Sequence, residues 1–151
     1  MLVREIMKTH VVKTSPSATL AEALDLMDIY QISSLPVIDP DGRLCGMIAE
    51  QDISRAVFPN SEPRSQCPAT EIALPAAAVS EQAATAQVAS LMRPAVSISE
   101  DADVTLGLRA LFVNEFTRVP VLTAEGELVG TLNRIDVIQA MFERTIYAAA
   151  A

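Results

Sequence analysis

Apolar residues recur with a helical period in two well-separated places. Leu20, Ala23, Leu24 and Met27 fall at i, i+3, i+4 and i+7, and so do Val104, Gly107, Leu108 and Leu111. Each set predicts one apolar face on an amphipathic helix. Thr19 with Glu22 three residues on forms a capping box for the first helix, and Asp103 caps the second. After each helix the pattern changes to runs of strand formers: LPVID then RLCGMI, and VPVLT then ELVGTL. The turns PDGR and AEGE put Gly42 and Gly126 where a positive φ closes a hairpin. A last helix begins near Glu50 in one place and Arg134 in the other. Ile53, Ala56 and Val57, and Val137, Ala140 and Met141, mark its buried side. Ahead of each set the pattern predicts a short apolar helix (residues 2–7 and 84–92) and a brief strand (residues 11–13 and 95–98).

These two sets are one pattern written twice. Shifting the chain by 84 positions lays Pro36 on Pro120, Val37 on Val121, Gly42 on Gly126, Gly46 on Gly130 and Asp52 on Asp136. Residues 32–58 and 116–142 share 8 identities in 27 ungapped positions. Upstream, IM at 6–7 meets LM at 91–92 after a one-residue slip. Such self-similarity is the first thing to settle in a fold argument. Each unit reads β-α-β-β-α, an α+β pattern. A unit of roughly 55 residues buries too little surface to stand comfortably alone. Two copies packed face to face about a pseudo-twofold axis share a core, so residues 1–58 and 84–147 are expected to form one module. Residues 59–83 join them. Pro59, Pro63, Pro68 and Pro75 predict a loop in the first part, and the Ala-rich run over 76–89 predicts helix. The terminal YAAAA reads as a frayed helix end.

Composition narrows the function. Of the 151 residues 50% are hydrophobic, too many for a disordered chain. Nineteen acids against 11 bases give a net charge of −8. That balance lacks the basic footprint of a nucleic-acid binder and disfavours an anionic membrane surface. The longer apolar stretches are short and interrupted, as at residues 72–79 with Pro75, so none predicts a membrane span. The start, MLVREIMK, lacks the apolar run of a signal peptide. Cys45, within LCGMI, reads as a buried small hydrophobe, and Cys67 as a half-exposed thiol. Two such cysteines make no disulfide framework and suit a reducing, cytoplasmic setting.

Catalytic chemistry finds little material. His10 is the only histidine, and its default is a structural or surface role. No Cys/His set has metal-ligand spacing, and no nucleophile elbow, HExxH or P-loop pattern occurs. DPDG is a hairpin turn, lacking the rest of a calcium loop. No nucleophile, base and orienting group assemble, so no enzyme is expected. The informative place is the junction of last strand and last helix, Gly46 to Asp52 and Gly130 to Asp136. Glycine lets a ligand or a neighbouring strand approach, and the following helix offers free N–H groups to a phosphate. An aspartate in the first turn accepts hydrogen bonds from a ribose diol, or merely complements the helix dipole. Both readings stay open on these residues alone.

With hPV, a D/E-G turn and Ghh-xxx-D-h each present twice, the chain resembles a tandem pair of CBS domains, a Bateman module, over about three quarters of its length. The resemblance implies an α/β/β/α disc that is not catalytic. It implies an adenosine-containing regulatory ligand (AMP, ADP, ATP or S-adenosylmethionine) in clefts between the repeats, with no obligatory cofactor. It also implies control of a separate partner protein, and homodimers. Asp52 and Asp136 match the ribose-binding aspartate. Three residues earlier, where the family has Thr or Ser, stand Ala49, which cannot hydrogen-bond through its side chain, and Asn133, which can. Arg118 matches the place of a phosphate-binding cation and Ser34 is its counterpart. Arg118 has a competing role as an ion-pair partner of Glu115 or Asp136. Ile32, Ser33, Phe116 and Thr117 match positions lining the base pocket, Thr131 lies in the Gly130 junction, and Thr9, Thr14 and Ser97 lie nearby. The Asp136 cleft would borrow Ile32 and Ser33 from the first repeat. The alternative is a ligand-free dimerisation or docking module with degenerate clefts, which Ala49 favours.

Overall fold

The computed structural model describes residues 1–58, 81–113 and 116–150. Two hairpins organise it. In the first half helix α1 (Leu20–Tyr30) leads into strands β1 (Ser34–Ile38) and β2 (Leu44–Ala49) and helix α2 (Glu50–Val57). The short helix α3 (Glu81–Thr85) opens the second half. It is followed by strand β3 (Ile98–Ser99), helix α4 (Val104–Val113), strands β4 (Arg118–Leu122) and β5 (Leu128–Asn133), and helix α5 (Arg134–Ala150). β1 and β2 pair antiparallel, as do β4 and β5, while β3 adds to β4 in parallel. The local signals explain these elements. Glu22 N–H donates to Thr19 Oγ1 at 3.2 Å and Thr19 N–H to Glu22 Oε2 at 2.8 Å, closing the box that starts α1. Gly42 and Gly126 hold φ of 81° and 88° in the two turns.

The halves exchange their leading segments. Val3, in a 3-10 turn (Val3–Glu5), packs in the second half's core with Val104, Leu111, Val119, Leu132 and Val137. Val88, in the matching turn (Val88–Ser90), packs in the first half's core with Leu20, Ala23, Leu35, Ile48 and Ile53. In place of the one continuous core expected from the sequence, the described residues form two larger clusters, each completed by the other half, and a small third one shared across the seam, where Met47 and Ala49 meet Phe116. The exchange needs close approach. A Cβ on Gly46 would sit 2.9 Å from the Arg93 carbonyl oxygen, and one on Gly130 3.0 Å from that of Lys8. Those glycines let residues 8 and 93 bridge to Thr131 and Met47. The pseudo-twofold is visible in contacts between equivalent residues. Ser33 Oγ meets Thr117 Oγ1 at 3.2 Å, 84 residues apart, and Arg43 bridges Glu127 at the other end.

Several expectations are corrected. The helix expected over residues 2–7 is only a 3-10 turn, and that over 84–92 is interrupted between Thr85 and Val88. Residues 11–13 form no strand; the chain makes one parallel bridge from Thr14 to Val37. Leu24 is exposed on α1, and Met141 on α5. Cys45 is exposed because it is the extra residue of a β-bulge, where the register passes from Val37–Gly46 to Ile38–Leu44. Its thiol leans on the Val37 carbonyl at 3.3 Å, and burial, with Asp39 second, raises its pKa. Cys67 and most of the 59–83 linker lie outside the described residues. The chain's last residues extend α5 to Ala150. Among the described residues no helix is long and apolar enough to cross a membrane.

Candidate functional site

Both hairpins deliver an aspartate to the third position of the following helix, Asp52 buried and Asp136 half-buried. On the α2 side Asp52 Oδ2 accepts from Ala49 N–H at 2.9 Å. Asp52 Oδ1 lies 2.8 Å from Arg93 Nε, with the carboxylate side chain 7% exposed and the arginine 30%. The Arg93 guanidinium rests 4.4 Å from the centroid of the Phe116 ring. Phe116 is buried with Met47 and Ala49, and Ala95 packs against them. Arg93 thus fills the Asp52 cleft with an ion pair and a cation–π contact.

On the α5 side the equivalent cation is Lys8, one position out of step with Arg93 because of the slip between IM and LM. Its Nζ is 3.5 Å from Asp136 Oδ1, and the lysine is 62% exposed. Among the described residues no aromatic ring stands over it, and Ile32 occupies the place equivalent to Phe116. Asn133 stands opposite Arg118 in the β4–β5 register. Burial pulls the Arg118 guanidinium below its ordinary pKa, and the nearby Asp136 carboxylate opposes that shift. Among the described residues Asp136 Oδ2, Asn133 Oδ1 and Arg118 Nε are buried without a hydrogen-bond partner, as is Ser34 Oγ. A buried polar atom left unpaired costs about 1–3 kcal/mol. Three of them within one strand–helix junction and the facing strand form a built polar site with unused capacity.

Beside this site lies a depression of about 630 Å³ whose walls include Asp28, Ile32, Ser33, Glu50, Thr117 and Arg118. It brings together four residues singled out in the sequence, two from each half, and Arg118 joins it to Asn133 and Asp136. Other candidates fall elsewhere. Phe116 belongs to the Asp52 side. Thr131 is 3% exposed and exchanges backbone hydrogen bonds of 2.9 Å with Lys8, fastening the N-terminal segment. Thr14 holds the Val37 bridge, and Ser97 lines a separate depression of about 440 Å³ with Cys45 and Pro94 at the hairpin-turn end. His10 is exposed, its ring centroid 5.9 Å from that of Tyr30. Sequence reasoning missed Lys8 and Arg93. A signal was present: in both copies a basic residue follows the matched methionine.

The CBS domain family model matches residues 3–59 and 88–143. An inosine-5'-monophosphate dehydrogenase of Methanocaldococcus jannaschii is 25% identical over 136 residues. The match covers 89% of this chain but spans only 22% of that relative's length. A crystal structure of CBSX2 in complex with AMP, an Arabidopsis thaliana protein, superposes with a TM-score of 0.72 at 23% identity, covering 95% of this chain and 98% of that one. A CBS domain pair of protein MJ0100, solved with 5'-methylthioadenosine and S-adenosyl-L-methionine, gives a TM-score of 0.72 at 19% identity, covering 95% and 98%.

Proposed function

The chain belongs to the CBS domain family, as a tandem pair, and on that footing we propose that it is a non-catalytic sensor of one adenosine-containing ligand. The ligand sits on the Asp136 side of the seam, and its occupancy modulates a separate partner protein. The observation that carries this reading is the trio of buried, unpaired atoms at Asp136, Asn133 and Arg118. A ribose diol supplies donors to Asp136 and Asn133, and because Ser33 and Thr117 line one depression with Arg118, they are assigned to the 5' substituent and not to the base that the resemblance placed beside them. Solved CBS pairs with AMP, and with 5'-methylthioadenosine and S-adenosylmethionine, support the ligand class. A segment like this chain lies inside a much longer dehydrogenase, which supports a module acting beside a larger enzyme. The Asp52 cleft, satisfied by Arg93, takes no ligand. The exposed Cys45 thiol suits a reducing cytoplasm.

Helical surface supplies the means of dimerisation. Ile29, Phe112, Val113, Phe142 and Tyr147 are 66–77% exposed, apolar area of the kind that specific interfaces bury at about 800 Å² per partner. Light scattering reporting a monomer at micromolar concentration retires the homodimer.

Thermal shift and calorimetry with AMP, ADP, ATP and S-adenosylmethionine test the sensor. A ligand at 100 times its Kd stabilises by about 2.7 kcal/mol, a rise of several degrees for a domain of this size. Asp136→Ala abolishes the shift and Asp52→Ala leaves most of it. If no adenosyl compound shifts the midpoint, the docking-module alternative takes its place.

A further inference from the structure

Resting on the adenosyl reading above, we infer that the ligand's 5' substituent carries an α-amino acid, as in S-adenosylhomocysteine or S-adenosylmethionine, and is not a phosphate chain. The argument is the charge of the depression into which that substituent runs. Asp28 and Glu50 line it together with one cation, Arg118. Arg118 already faces the Asp136 carboxylate, and Lys8 is engaged at Asp136 Oδ1. Three carboxylates against two bases leave the site net negative before any ligand arrives. AMP brings about two further negative charges and ATP more, with Arg118 alone to meet them. A zwitterionic amino-acid tail fits instead: its carboxylate meets the Arg118 guanidinium and its ammonium meets Asp28 and Glu50.

The acid pair is particular to this half. At the positions equivalent to Asp28 and Glu50 the second half has Phe112 and Arg134, and the Arg134 guanidinium lies 5.6 Å from the Phe112 ring centroid. Its Nη2 donates to the Leu111 carbonyl at 3.1 Å. Carboxylates in this place are therefore no requirement of the repeat fold. Both open onto the depression that Arg118 also lines, although Glu50 stands in the first turn of α2 with Asp52, and that shared lining with Arg118 is what a ligand role demands. The volume, about 630 Å³, is within the range of small-molecule sites.

Calorimetry on the intact protein with S-adenosylhomocysteine, 5'-methylthioadenosine, AMP and ATP decides it. Methylthioadenosine keeps the adenosine and thioether but lacks the amino acid. S-Adenosylhomocysteine is expected to bind at least tenfold tighter than either methylthioadenosine or AMP, with ATP weakest. Asp28→Asn combined with Glu50→Gln, at exposed positions, is expected to bring S-adenosylhomocysteine to within about threefold of methylthioadenosine and to strengthen AMP. Raising KCl is expected to strengthen AMP binding in the unaltered protein, because it screens a net repulsion. AMP or ATP binding as tightly as S-adenosylhomocysteine, or methylthioadenosine doing so, overturns this inference and leaves the sensor intact. Failure of all four compounds to bind overturns the adenosyl reading itself.

Discussion

Asp52 and Asp136 occupy equivalent places, each the third residue of a helix that leaves a hairpin, yet their surroundings have diverged. Asp52 spends both oxygens inside the protein, on the Ala49 N–H and on Arg93, and Arg93 is braced by Phe116. Asp136 pairs with the exposed Lys8 and lies near Arg118, and its second oxygen has no hydrogen-bond partner among the described residues. A carboxylate satisfied on every side stabilises the fold and has nothing left for a ligand. One kept partly unsatisfied costs stability and stays available. A duplicated module can put one copy to each use.

The largest expected effect separates these uses by stability. Asp52→Ala leaves Arg93 half-buried without its carboxylate and the Ala49 N–H without its acceptor. Breaking such a pair costs about 2–3 kcal/mol, reduced from the fully buried case because Arg93 keeps some access to water. The midpoint is then expected to fall by about 5–10 °C. Asp136→Ala removes an exposed-lysine pair and is expected to change stability by no more than about 1 kcal/mol. Urea denaturation of the two variants checks this, and equal losses would erase the proposed division of labour.

The sequence carried this asymmetry only in part. Ala49 against Asn133, and Ser34 against Arg118, already marked the second half as the richer in polar capacity, since those differences lie at fixed offsets inside the repeat. The hairpins and the Thr19 box were legible for the same reason: turn and cap chemistry is local. The basic residue after the matched methionine stands in both copies, but that Arg93 fills the Asp52 cleft could not be read from it, because Arg93 gets there through the segment exchange. That exchange depends on how closely two backbones approach at Gly46 and Gly130. Cys45 was misread because a bulge shifts strand parity by one residue, and nothing in LCGMI announces it. Leu24 follows the helical period yet is 41% exposed; it lies at the rim of the depression beside Arg118, where the packing layer ends.

A smaller effect asks whether the Asp52 cleft is closed by its occupant. Arg93→Ala with Ala49→Thr removes the guanidinium and supplies a hydroxyl where the other half has Asn133. Titration with whichever adenosyl compound binds the unaltered protein is expected to move from one ligand per chain toward two, the added site being the weaker. Stoichiometry fixed at one, in a variant that keeps its cooperative unfolding, shows that more than Arg93 closes that side.

The smallest effect lies at the helices that flank the seam, and it too differs between the halves. Thr19 caps α1 with a hydroxyl that does not titrate in the acid range, whereas Asp103 caps α4 with a carboxylate. Asp103 Oδ1 accepts from the Thr105 hydroxyl at 2.6 Å and from its N–H at 2.9 Å, and Oδ2 lies 3.5 Å from the N-terminal ammonium. The Thr105 hydroxyl, then its N–H, then the ammonium hold this carboxyl below the usual aspartate range. A value lower in the folded than in the unfolded chain means that the cap's contribution is complete above the unfolded value of about 3.9. It is lost as pH falls through the folded value, where the carboxyl takes up its proton and releases these donors. Because Met1 and Asp103 join the exchanged N-terminal segment to α4, acid is expected to loosen the second half ahead of the first. Asp103→Asn keeps an acceptor for Thr105 but does not titrate, so it flattens this portion of the curve. Urea midpoints measured from pH 6 to pH 3 on both proteins check it. An unaltered acid limb in the variant would assign the loss to other carboxylates.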